Sequence, residues 1–137
     1  MTKFVVVQGP GSTGKTSAIR AAVSELGVDF SQSPVGDLYC VTHIRVGTRN
    51  ALVGVCSSGD TAEIIRENFN FLKLHELDYA ILACRTGETG FSLIQSFRHL
   101  VEGEIALVET SKESTSAAIR SAEKAATDRI VEEIRGW

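Results

Sequence analysis

Lys3-Phe4-Val5-Val6-Val7-Gln8 runs straight into Gly9-Pro10-Gly11-Ser12-Thr13-Gly14-Lys15-Thr16, with Ser17 opening a helical pattern behind it. The first six residues read as a β-branched strand, and the next eight fit the spacing G-x-x-x-x-G-K-[ST] in full. Glycines at these positions let backbone N–H groups turn inward around an anion. The helix that follows adds unpaired amides and the positive end of its dipole. Lysine at the register of Lys15 suits the outer phosphates of a polyphosphate, and the Thr16 hydroxyl suits a magnesium ion. An ordinary strand-to-helix turn needs neither three glycines nor that lysine. Lys15 is expected to face solvent when no phosphate is bound.

Working outward, the apolar positions Ile19, Ala22, Val23 and Leu26 make one face of a helix from Lys15 to Leu26 that stops at Gly27. A turn-rich connection spans Val28 to Gly36. Residues 38 to 46 alternate as a strand, Gly47-Thr48-Arg49-Asn50 is turn chemistry, and Ala51 to Cys56 is the next strand, so the pair forms an antiparallel hairpin. A helix to about Leu74 carries Ile64, Ile65, Phe69 and Leu72. Tyr79 to Cys84 is wholly apolar and should lie centrally. A helix from Phe91 to Val101, a strand from Glu104 to Val108 and a last helix from about Glu113 to Ile134 follow, the last with Ile119, Ala122, Ala126, Ile130 and Ile134 on one stripe. Alternating strands and helices predict a three-layer α/β/α sandwich: an open, mainly parallel sheet of about five strands, with the hairpin at one edge.

At 137 residues the chain is expected to be one domain, 1–137. Its net charge of −3, without a basic stripe, does not indicate a dedicated nucleic-acid surface. No apolar run approaches the ~18–20 residues that span a bilayer. The short apolar run at the start lacks a basic lead and feeds the glycine loop, so it reads as a core strand and not a signal peptide. The expected compartment is the cytoplasm. Cys40, Cys56 and Cys84 sit in strand-like runs and read as reduced, buried thiols. Strand alternation sends Cys40 and His43 to opposite faces, which argues against a zinc pair. His75 and His99 read as surface or capping residues.

The complete loop motif and the strand–helix order over the whole length resemble the P-loop NTPase superfamily. The resemblance implies that Gly9, Pro10, Gly11, Ser12, Thr13, Gly14, Lys15, Thr16 and Ser17 hold a nucleotide with Mg2+, with Thr16 on the metal. In such sheets ligands sit beyond the carboxyl ends of the strands. Candidates at those ends are Asp60, behind Ser57-Ser58-Gly59, as the metal or nucleophile acid, with capping of the next helix as its alternative role. Arg85 is a candidate for stabilising transferred charge, with a salt bridge to Glu88 as its alternative. Thr110, Ser111 and Lys112, after Glu109, stand where many members contact the base. Cys84-Arg85-Thr86-Gly87 lacks the N-K-x-D signature of guanine-specific members, which favours ATP. Asp37 and Asp78 fall at strand starts and are assigned to the edge away from the chemistry.

These features imply an ATP- and Mg2+-dependent kinase-like enzyme or simple NTPase, with Lys15, Asp60 and Arg85 catalytic. The segment Thr86 to Gly90 is too short for the arginine-bearing lid of nucleotide-monophosphate kinases. That leaves hydrolysis, or a small-molecule acceptor bound near Val28 to Gly36. The alternative is a nucleotide-dependent switch or binding module with little turnover. Self-association is compatible with the hairpin's outer strand or the alanine-rich last helix.

Overall fold

In the computed structural model, residues 2–10, 14–28, 37–59, 61–86, 90–96, 105–110 and 113–136 are described. Five strands form one sheet in the order β2-β3-β4-β1-β5: β1 Lys3–Gln8, β2 Tyr39–Val46, β3 Arg49–Cys56, β4 Tyr79–Cys84 and β5 Ile105–Glu109. β3, β4, β1 and β5 run parallel, and β2 pairs antiparallel with β3 at one edge. The expected α/β sheet with its edge hairpin is therefore present, and β4 is central. The turn is tighter than the sequence suggested. Only Gly47 and Thr48 lie outside the ladder, because Arg49 already pairs with Val46 and Asn50 with Arg45.

Among the described residues four helices cover the two faces: α1 Lys15–Glu25, α2 Ala62–Leu72, α3 Phe91–Ser96 and α4 Ser116–Arg135. Alternation along the strands separates two cores. Val5, Val7, Val53, Val55 and Ile81 meet Ile19, Val23, Ile130 and Ile134 of α1 and α4 on one face. Phe4, Val6, Cys56, Ala80 and Leu82 meet Ile65, Phe69, Leu72 and Ile94 of α2 and α3 on the other. The stripe on α4 is buried only from Ala126 onward, and Ile119 is 44% exposed. The first turns of α4 are largely exposed.

Helix ends follow their local chemistry. α1 ends in a Schellman turn: Gly27, at φ 106°, donates to the carbonyl of Ser24, and Val28 donates to that of Val23. Thr61 and Thr115 cap α2 and α4 with side-chain oxygens that accept from Ile64 N and Ala118 N. α1 begins differently, on Gly14 at φ 79°, with no side-chain cap. Cys40, Cys56 and Cys84 are all free thiols; Cys40 is only half-buried. Cys40 belongs to the α1/α4 face while His43 is exposed, as alternation requires. Among the described residues no helix is long and apolar enough to cross a membrane.

Candidate functional site

The carboxyl ends of β1, β4 and β5 meet at Gln8. The amide of Gly9 donates to the carbonyl of Cys84 at 3.2 Å, and the amide of Thr110 donates to that of Gln8 at 2.8 Å. The Thr110 hydroxyl reaches the same oxygen at 3.3 Å. Gln8 also uses its side chain: Oε1 accepts from Phe91 N at 3.2 Å, which fixes the start of α3. The glycine loop thus leaves the sheet from a point tied to both neighbouring strands and to one helix. Gln8 carries this junction, and sequence reasoning saw it only as the last strand residue.

Lys15 is buried, at 9% exposure. Its ammonium donates to the carbonyls of Gly9 at 2.8 Å and Pro10 at 3.1 Å. The expectation that it faces solvent is therefore corrected. The ammonium takes the nearest carbonyls, since a buried charge needs hydrogen-bonded partners.

Thr16, one residue on, turns the other way and donates to Asp37 Oδ1 at 3.0 Å. Ser57 Oγ donates to the same Asp37 oxygen at 3.3 Å and accepts from Leu38 N at 2.7 Å. Ser57 N in turn donates to the carbonyl of Leu38 at 2.9 Å. Thr16, Asp37 and Ser57 therefore form one cluster at the carboxyl edge. The assignment of Asp37 to the far edge is corrected. β2 is antiparallel, so it begins where β3 ends, and a residue before Tyr39 lies beside the outlet of β3. The hairpin pattern held that signal. Asp78 does lie at the opposite edge, where its carboxylate accepts from Leu52 N at 2.8 Å.

Asp60, together with Gly11, Ser12, Thr13, Ser111 and Lys112, lies outside the described residues, as do Glu88 and most of the connection from Val28 to Gly36. Two neighbours constrain the roles available at that outlet. Thr61, not its predecessor, is the N-cap of α2. Gly59 is pressed on the end of β4, where a Cβ would run into the carbonyl of Ala83. The β3 outlet thus bends across β4 toward the loop. Without that bend β3 would end two strand spacings from β1, about 10 Å away. Asn68 of α2 secures the bend by donating to the carbonyl of Ser58 at 2.7 Å.

Arg85 is exposed directly after β4, as expected, and Glu109 is exposed at the end of β5. Ser17 is exposed on the first turn of α1. The thiol of Cys84, below Arg85, is pushed up to about 11 by burial, although the nearby Lys15 charge opposes the shift. Burial likewise pushes Cys56 up to about 12. Neither thiol is a nucleophile at neutral pH, because the thiolate is the reactive form.

Among the described residues no group of three or more His, Cys, Asp or Glu could hold a metal unaided. A magnesium ion at Thr16 and Asp37 would draw its other ligands from phosphate and water, which is how Mg2+ commonly binds. No family model matches the chain, and a search of curated proteins finds no match either.

Proposed function

We propose that the protein binds Mg2+-ATP in the loop from Gly9 to Ser17 and transfers or hydrolyses its terminal phosphate. The observation that carries this reading is the pairing of Lys15 and Thr16 at the uncapped start of α1. One is a buried ammonium held over the loop carbonyls, and the other is a hydroxyl aimed at a carboxylate. Phosphate oxygens would compete with the Gly9 and Pro10 carbonyls for the ammonium, and a bond in which both donor and acceptor are charged is the stronger. Thr16 and Asp37 would hold the metal, Asp37 through water. This moves the metal role from Asp60 to Asp37 and leaves Asp60 as the acid for the nucleophile. Arg85 would stabilise charge on the transferred group, and Thr110, Ser111 and Lys112 would flank the base.

Such chemistry needs positioning and electrostatics more than covalent participation. The test is phosphate release from ATP with Mg2+, with and without candidate small acceptors, alongside a binding measurement. Binding with release supports an enzyme. Binding with no release under any condition would support the switch module, and no binding would remove both.

A further inference from the structure

We propose a second anion site at the opposite edge of the sheet, which takes a phosphate dianion carried by a small molecule. The cavity there has a volume of about 800 Å3 and is lined by Arg45, Arg49 and Arg135 together with Glu25, Gly27 and Gly47. That volume lies within the range of small-molecule sites and far exceeds a bare ion, so the phosphate belongs to a larger ligand. The three arginines come from three places: the end of β2, the start of β3 and the last turn of α4. Chain proximity explains at most the first two.

The partners of Arg45 and Arg49 are neutral. Arg45 Nη1 donates to Asn50 Oδ1 at 3.3 Å, and Arg49 Nη2 donates to the Tyr79 hydroxyl at 2.7 Å, with its guanidinium 5.8 Å from the Tyr79 ring centre. Ion pairs among the described residues join Lys3 to Glu133, Lys124 to Asp128 and Arg129 to Glu133, and none involves the cavity arginines. Glu25 offsets one positive charge. The carbonyl ends of α1 and α4 contribute roughly half a unit each at most, and at α1 those carbonyls are already engaged by Gly27 N, Val28 N and Arg45 N. Within this lining a positive surplus remains, while Asp128 and Glu132 share an adjoining pocket with Arg135. Guanidinium forks match phosphate geometry with two parallel bonds, which a lysine cluster would not. The site lies about 20 Å from the glycine loop, one strand length away, and does not depend on the reading of that loop.

The experiment is a two-dimensional amide NMR titration of the full chain with inorganic phosphate, followed at Gly27 and Gly47. Expected are saturable shifts at both in the millimolar range, weakened at least tenfold by Arg49→Gln and by Arg135→Gln, with Gly14 and Thr16 responding as in the wild type. Arg49 also holds the Tyr79 hydroxyl, so Arg135→Gln, on an exposed last turn, decides the matter alone if the other variant does not fold. A parallel titration with a short single-stranded oligonucleotide separates phosphate dianions from a nucleic-acid backbone. No saturable shift with phosphate, unchanged affinity in Arg135→Gln, or a response to the oligonucleotide only would each overturn the proposal.

Discussion

Lys15 couples the stability of the loop to its chemistry. Because its ammonium is buried on the Gly9 and Pro10 carbonyls, Lys15→Ala should lower the stability of the ligand-free protein by about 1–2 kcal/mol, measured by urea unfolding. It should also abolish stabilisation by ATP. A solvent-facing lysine would give the second effect alone. Asp37→Asn keeps an oxygen for the Thr16 hydroxyl and removes only the charge. It should leave magnesium-free ATP binding near wild type and reduce the gain from Mg2+ at least tenfold, read by titration calorimetry with and without the ion. Asp60→Asn in the same assay should affect phosphate release more than metal-dependent binding. The reverse ordering would return the metal role to Asp60. Lys15 and Thr16 were legible in the sequence because their spacing is tied to backbone geometry. The position of Asp37 follows from which way β2 runs, so a rule that looks only after strands passes over it.

Among the elements, the β3 outlet depends on two small contacts. Gly59→Ala should cost about 1–3 kcal/mol, as overpacking against a carbonyl does, since a Cβ there meets the backbone of Ala83. Thr61→Ala should cost about 1 kcal/mol through the lost cap. Only Gly59→Ala should also impair phosphate release beyond the loss in folded fraction, because it alone displaces the outlet from the loop. Strands and helices were readable from their apolar periods, and β4 was placed centrally for want of any polar residue. The periodicity on α4 was misleading at Ile119. Periodicity reports which residues share a face, and burial along α4 begins only at Ala126. Junction roles such as that of Gln8, whose side chain accepts from Phe91 N, arise from contacts 83 residues apart and leave no local pattern.

For the whole molecule, a few titrating groups shape stability against pH. A hydrogen bond from Lys3 holds the Glu133 carboxyl below its ordinary value of 4.5, joining β1 to α4. A depressed carboxyl stabilises the fold above its unfolded value, and that contribution fades as pH falls through the folded one. The stability difference between wild type and Glu133→Gln should therefore shrink as pH drops below about 4. At the alkaline end, thiols raised to about 12 at Cys56 and about 11 at Cys84 contribute fully below the ordinary value of 9.0. That contribution is lost as pH rises above it. Cys84→Ser, measured by denaturant midpoints between pH 8 and 11, should flatten the alkaline loss.

The central claim is that the amino-terminal loop holds Mg2+-ATP, and thermal unfolding with ATP, with and without Mg2+, tests it most directly. At about 100 times its dissociation constant ATP should stabilise the protein by about 2.7 kcal/mol, more strongly with Mg2+, and not at all in Lys15→Ala. A melting temperature unmoved by any nucleoside triphosphate at millimolar concentration would contradict the account.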